Sequence, residues 1–200
     1  AMTDALNLDP RRTAVLCMDF QSGIVQNFAG ADSRGLLERA AALLAAARAA
    51  QAKVGYVKVG FRPGYPEVSP NNLSFSTVRS SGRFEGDAPG SEIHPQVAPQ
   101  PGEFVVVKHR VGAFHGTDLD MILRANGIDT LVLAGIATSG VVLSTVRHAA
   151  DADYRIVVAA DCCGDPDAEV HRVLTEKVFP RQAWVAGGAE IISALRKPGG

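Results

Sequence analysis

The stretch TAVLCMDF at residues 13–20 places five apolar residues in a row, Ala14 to Met18, immediately before an aspartate. An apolar run without alternation is typical of a strand that is covered on both faces, as in a parallel sheet packed between helices. Five further runs predict strands of the same kind, at Val54 to Val59, Glu103 to Lys108, Thr130 to Ala134, Arg155 to Ala160 and Ala183 to Ala186.

Helical segments separate most of these predicted strands. Strand and helix alternate along the chain, which predicts an α/β fold: a doubly wound, mostly parallel six-stranded sheet with helices on both faces, in a Rossmann-type three-layer sandwich. We expect a single domain over residues 1–200, with 1–10 as a tail and Ala1 as a remnant of tag removal. The predicted helices are Leu36 to Ala50, Thr117 to Asn126, Ser139 to Ala152 and Asp167 to Val178.

Composition excludes several classes of protein. Hydrophobic residues make up 46% of the chain, which is enough for a packed core. Twenty basic and 21 acidic residues leave a formal charge of -1, so nucleic acid is not an expected partner. The apolar runs are shorter than the roughly 20 residues of a membrane span, and no secretory signal precedes them, so we expect a cytoplasmic protein without membrane contact.

One long connection interrupts the alternating pattern. Residues 61–102 are rich in proline and show little hydrophobic periodicity, although most links in such folds are only a few residues long. Long loops of this kind often carry functional residues. Two interpretations remain open: a lid over a substrate, or an irregular flap that covers a sheet edge or mediates a subunit contact.

Polar residues at the strand exits mark the expected site, because ligands of open parallel sheets bind outside the carboxyl ends of the strands. Asp19 follows the first strand, and its carboxylate needs a cation nearby if it is to stay ionised in apolar surroundings. Lys108 ends the third strand and is the expected counter-charge. The turn at 135–141 brings the amides of a helix N-terminus to the same crevice. It is either an anion or oxyanion site or a plain strand-to-helix turn with Thr138 or Ser139 as N-cap.

Three motifs on these elements resemble a known family. They are DFQ at 19–21, KHRVGAF at 108–114 with GTDLD at 116–120, and LVLAGIAT at 131–138. In this order they are similar to the isochorismatase-like hydrolase superfamily, also called the cysteine hydrolases, over nearly the whole chain. The resemblance implies an isochorismatase-like fold, a small-molecule substrate and assembly as a homo-oligomer, either a dimer or a tetramer.

The resemblance also implies roles for individual residues. Amide-cleaving members use an aspartate, a lysine and a cysteine, which would be Asp19, Lys108 and the residue at position 141. That position holds Val141, which has no nucleophile. The family's turn often contains a non-proline cis peptide bond, expected here between Ile136 and Ala137. The oxyanion would be held by backbone amides of Ala137, Thr138 and Val141.

Other positions are candidates for substrate contact. A guanidinium group can pair in bidentate fashion with a substrate carboxylate, which makes arginines candidates. Aromatic side chains could form apolar walls. Nicotinamidase-type members carry an Asp-x-His metal site after the second strand, but this chain reads VGFRPGY at 59–65, so we expect no metal and no cofactor. The candidates are Arg62, Arg110 and Phe114, together with Arg83, Phe61 and Phe84.

Three hypotheses about function follow. The first is a hydrolase without a cysteine nucleophile, acting on a small anionic molecule, with Asp19 as the acid that protonates a vinyl ether or as the base that activates water. The second is a catalytically inactive member that binds a metabolite or a partner. The third is an enzyme in which Cys162 or Cys163 replaces the missing thiol.

Overall fold

The computed structural model describes residues 6–196. Its centre is a six-stranded sheet with the order β3-β2-β1-β4-β5-β6, in which every strand pair is parallel. The order runs outward in both directions from the adjacent strands β1 and β4, as in a doubly wound sheet. The strands are β1 (Thr13–Met18), β2 (Lys53–Val59), β3 (Phe104–Lys108), β4 (Thr130–Ile136), β5 (Arg155–Gly164) and β6 (Trp184–Ala186).

Helices cover both faces of the sheet, so the predicted three-layer α/β sandwich is confirmed. One core lies beneath α1, α2, α3 and α7, and the other lies beneath α4 and α5. All residues of β1 and β4 are buried, which is why their sequences show no alternation. The helices are α1 (Ser22–Phe28), α2 (Ser33–Ala49), α3 (Leu73–Ser80), α4 (Leu119–Ala125), α5 (Leu143–Asp151), α6 (Ala168–Val173) and α7 (Gly188–Arg196).

Three of these helices, α1, α3 and α7, were not predicted. Helix α3 lies inside the long connection at 61–102, which is therefore not wholly irregular. The carboxylamide of Asn72 accepts a hydrogen bond from the N–H of Phe75 at 3.1 Å and caps α3. Phe75 is the buried residue of this helix, so its hydrophobic pattern is too weak to predict it.

Several predicted boundaries shift. The helix expected from Ser139 opens as a π-helical turn, Thr138–Val142, before α5 begins. The helix expected over 167–178 likewise ends in a π-helical turn, Leu174–Val178. Thr117, the expected first residue of a helix, lies outside α4, which starts at Leu119 with Asp118 as its N-cap. The hydroxyl of Thr117 donates to the carbonyl of Ala113 at 2.7 Å.

The N-terminal residues of the described chain pack against the sheet. Of the predicted tail, residues 6–10 are described, and Leu6 and Leu8 are buried against the core. The expected tag remnant Ala1 lies outside the described residues. Among residues 6–196, no helix is long and apolar enough to cross a bilayer.

Candidate active site

The carboxyl ends of β1, β2, β3 and β4 meet at a cavity of about 220 Å³. Its walls are mainly apolar, and Phe28 and Val111, both partly exposed, lie at its mouth. Helices α1 and α3 close the side opposite the sheet. The residues that line the cavity are Asp19, Ile24, Phe28, Val59, Ser74, Phe75, Val78, Arg83, Phe84, Lys108, Val111, Ile136, Ala137, Gly140 and Val141.

Asp19 and Lys108 form a buried ion pair in this cavity. The distance from Lys108 Nζ to Asp19 Oδ2 is 2.9 Å, and the two side chains are 3% and 8% exposed, respectively. Lys108 Nζ also donates to the carbonyl oxygens of Arg110 at 2.9 Å and Val111 at 3.1 Å. The structure therefore brings together the two residues that the sequence placed at separate strand ends.

Of the two carboxylate oxygens of Asp19, Oδ2 pairs with Lys108. Its Oδ1 atom is buried and has no hydrogen-bond partner among the described residues. Burial raises the pKa of Asp19 above its ordinary value, while the nearby Lys108 ammonium opposes that rise. Asp19 also has a left-handed backbone (φ 59°), which turns the chain out of β1 at the cavity. A carboxyl group of this kind is suited to proton transfer.

The turn after β4 forms another wall of the cavity. Ala137, Gly140 and Val141 line it, and the Ile136–Ala137 peptide bond is cis, as expected. Some N–H groups of the turn already have acceptors inside the protein. Those of Gly140 and Val142 donate to the carbonyl of Ala137, and that of Ser139 donates to Asp165 Oδ2 at 2.8 Å. Any oxyanion site must therefore use the turn's other amides.

Thr138 belongs to this turn but does not line the cavity. Its side chain is fully buried, and its hydroxyl lies 3.1 Å from the carbonyl oxygen of Gly164 and 2.8 Å from Nδ1 of His171. Burial lowers the pKa of His171 below its ordinary value. The Thr138 side chain therefore connects the turn to β5 and α6, and only its backbone is available for a role in the cavity.

Of the other residues predicted to contact the substrate, some line the cavity and others do not. Arg62 pairs with Glu67 at 2.6 Å, and Arg110 donates from Nη1 to the carbonyl of His109 at 2.6 Å. Phe114 stacks on His148 with ring centroids 4.6 Å apart. None of these three lines the cavity, and neither does Phe61. Arg83 and Phe84 do line it.

Sequence reasoning missed the residues that α1 and α3 contribute to the cavity. Ile24 and Phe28 come from α1, and Ser74, Phe75 and Val78 come from α3. Asn72, a residue type favoured at N-caps, was one signal for α3. An N-cap residue alone does not predict a helix when the surrounding proline-rich segment shows no clear hydrophobic periodicity.

Gln21, part of the first motif, anchors the cavity's framework. Its side chain is fully buried, and Nε2 donates to the carbonyls of Val59 and Ser91, each at 2.9 Å. Its Oε1 accepts from the N–H of Val59 at 2.8 Å. Gln21 therefore ties the end of β2 to the long connection.

We expect Gln21→Met to lower the free energy of unfolding by about 3 kcal/mol, because it leaves buried backbone groups of Val59 and Ser91 without partners. Gln26→Met is the matched control, since Gln26 is exposed on α1, and it should change stability by less than about 0.5 kcal/mol. Urea unfolding followed by circular dichroism measures both. Equal stability of the two variants would contradict the anchoring role.

The cysteines do not line the cavity. Cys17, Cys162 and Cys163 are all buried and none forms a disulfide. Burial raises the pKa of each thiol, that of Cys163 to about 12. Thiolates are the reactive form, so these surroundings disfavour Cys162 or Cys163 as a substitute nucleophile. Within residues 6–196, no cluster of metal-binding side chains is present either.

The fold and the cavity together define a class: a doubly wound α/β protein with a buried aspartate–lysine ion pair at the carboxyl ends of its strands. The isochorismatase domain model matches residues 13–190. The chain belongs to the isochorismatase family.

Individual relatives agree with this assignment. The uncharacterized isochorismatase family protein YwoC of Bacillus subtilis is 34% identical, over 90% of this chain and 92% of its own. Ureidoacrylate amidohydrolase RutB of Methylobacterium radiotolerans is 33% identical, over 99% of this chain and 85% of its own. An isochorismatase family protein of Burkholderia thailandensis has a similar structure, with a TM-score of 0.82 and 30% identity, covering 97% of this chain and 100% of that one.

Proposed function

We propose that this chain is an isochorismatase-family hydrolase that cleaves a small anionic molecule without a cysteine nucleophile, a metal or a cofactor. One observation carries the proposal: the buried carboxyl of Asp19, whose Oδ1 has no hydrogen-bond partner within residues 6–196, lines the same cavity as Val141. The cavity thus presents a proton-transfer group but offers no thiol at its surface. Such a site favours hydrolysis that needs no covalent intermediate.

Cleavage of a vinyl ether is the first reaction that suits this site. Protonated Asp19 gives its proton to the enol carbon, and the ether oxygen stabilises the resulting oxocarbenium ion. Water then adds to that cation and loses a proton, and the hemiketal breaks down to a carbonyl compound and an alcohol. Lys108 stabilises the Asp19 carboxylate once the proton has left.

Direct attack by water is the second reaction. Here ionised Asp19 accepts a proton from water as the water attacks a carbonyl group. The developing negative charge would be stabilised by Lys108 and by the remaining amides of the turn, those of Ala137, Thr138 and Val141. These backbone groups do not depend on which side chain stands at position 141.

The pH dependence separates the two reactions. If Asp19 is the acid, kcat/KM falls as pH rises through the pKa of Asp19. Because burial raises this pKa, the fall occurs at a higher pH than for an ordinary carboxyl group. If Asp19 is the base, kcat/KM rises with pH through the same pKa. We expect the falling profile with vinyl-ether substrates, with the released carbonyl compound measured. A rising profile would contradict the acid role.

A non-catalytic role is the second candidate function, and Val141 in the cavity favours it. Such a protein would bind a metabolite or a partner in the same cavity and release no product. A panel of vinyl ethers, esters and amides separates the two functions. Hydrolysis of any of them at a rate that depends on Asp19 supports the first, and binding without turnover supports the second.

The assembly and the location of the protein are part of the same proposal. We infer a homo-oligomer, either a dimer or a tetramer, in the cytoplasm. Membership in the family supports the assembly, and the near-neutral charge supports a role that does not involve nucleic acid.

A further inference from the structure

Two cationic side chains line the cavity, those of Lys108 and Arg83. Within the part of the chain that the structure describes, Arg83 forms no ion pair, and its one side-chain hydrogen bond runs from Nη2 to the carbonyl of Gly23 at 3.3 Å. A guanidinium group has five N–H donors, so most of its donors remain available. Arg83 can therefore receive a ligand without first losing a carboxylate partner.

Aromatic rings hold this guanidinium at the cavity wall. Its Cζ atom lies 4.9 Å from the ring centroid of Phe84 and 5.7 Å from that of Phe28. The hydroxyl of Tyr65 donates to the carbonyl of Arg83 at 2.7 Å, and the N–H of Phe61 donates to that of Phe84 at 2.8 Å. Stacking and backbone anchoring already restrict Arg83, so its side chain loses less conformational entropy when it binds an anion.

The charge balance of the cavity points to a negatively charged ligand. While Asp19 is ionised, Lys108 is paired with it and also donates to two carbonyl oxygens, so the Lys108 charge is compensated. Arg83 leaves one uncompensated positive charge among walls that are otherwise largely apolar. One carboxylate would match this charge, whereas a second would be buried without a cationic partner.

We propose that Arg83 binds the anionic group of the substrate and selects small monoanions with a rigid unsaturated or aromatic body, which lies against Phe28 and Phe84. The bond to be cleaved lies toward Asp19, away from the anionic group. Cleavage of the bond near Asp19 rests on the proposed function, whereas the preference of Arg83 for an anionic ligand does not. A cavity of about 220 Å³ is below the usual range of drug-sized sites, roughly 300–1,000 Å³, which is consistent with a small ligand.

Cinnamate and cinnamamide form a matched pair of probes, since they share one rigid body and differ in charge. We expect cinnamate to bind the unchanged protein about tenfold more tightly than cinnamamide at neutral pH, as measured by isothermal titration calorimetry. Arg83→Gln should weaken cinnamate binding about tenfold and leave cinnamamide binding unchanged. Arg83→Lys should retain part of the preference, because it keeps the charge but loses the planar stacking.

Arg79→Gln is the control, because Arg79 is an exposed residue of α3 that does not line the cavity. It removes the same charge from the same segment and should leave both affinities unchanged. Equal binding of the two probes, no binding of cinnamate at millimolar concentration, or an equal effect of Arg79→Gln would each overturn the proposal. Asp19→Asn should lower the rate of hydrolysis about 10³-fold while the preference for cinnamate persists. Failure of the proposed reaction is therefore distinguishable from failure of the anion site.

Discussion

Replacement of Asp19 by asparagine is expected to lower kcat/KM for hydrolysis about 10³-fold, within the range of general acid–base catalysis. Asparagine preserves the shape of the side chain but cannot deliver a proton to carbon or accept one from water. Initial rates with the best substrate of the vinyl-ether panel measure the effect. The loss should be in kcat, because Arg83 and the apolar walls are unchanged and the freed charge of Lys108 does not weaken binding of an anion.

This variant leaves Lys108 without its counter-charge, so folding must be measured beside activity. Asp129→Asn is a suitable control, since Asp129 pairs with Arg12 away from the cavity. It should retain full activity. The double variant Asp19→Asn, Lys108→Met removes both buried charges, and we expect it to fold and to remain inactive. An active, folded Asp19→Asn protein would show that Asp19 is not the proton-transfer group.

Restoring a thiol by Val141→Cys is expected to create amidase activity, at least about 10³-fold above the unchanged protein. The relatives include ureidoacrylate amidohydrolases, so ureidoacrylate is the first amide to test. Val141 lines the cavity with Asp19, so a thiol there could pass its proton to that carboxylate. Iodoacetamide should label position 141 and abolish the new activity.

Val111→Cys provides the matched control for the restored thiol. Val111 lines the same cavity but follows β3 and is not part of the turn whose amides would hold an oxyanion. We expect its thiol to be alkylated without any amide hydrolysis. If the cysteine at position 141 is also alkylated but inactive, the turn cannot support acyl transfer, and the non-catalytic function becomes the better proposal.

Much of the sheet could be predicted from the sequence, because burial on both faces leaves a direct mark on composition. The runs at 13–20 and 130–134 correspond to β1 and β4, in which every residue is buried. The sequences of helices α1 and α3 show no comparable hydrophobic pattern. Each is short, and such helices are stable mainly through packing against their neighbours.

The pairing of Asp19 with Lys108 was also predictable, since parallel strands deliver their carboxyl ends to one edge of the sheet. Which of the arginines lines the cavity was not predictable from the sequence. Arg62 and Arg83 both lie in the long connection, yet one pairs with Glu67 outside the cavity and the other enters it between two aromatic rings. No periodicity in this segment indicates the direction of a side chain.

The sequence by itself determined the layered sheet, the strand-end positions of Asp19 and Lys108, and the valine at position 141. Only the tertiary structure decided which surfaces close the cavity, which turn amides already have acceptors, and which arginine faces the ligand. The physical reason is the range of the interactions. Strand burial is encoded residue by residue, whereas the cavity arises from contacts between segments far apart in the chain, such as the hydrogen bonds from Gln21 to Val59 and Ser91.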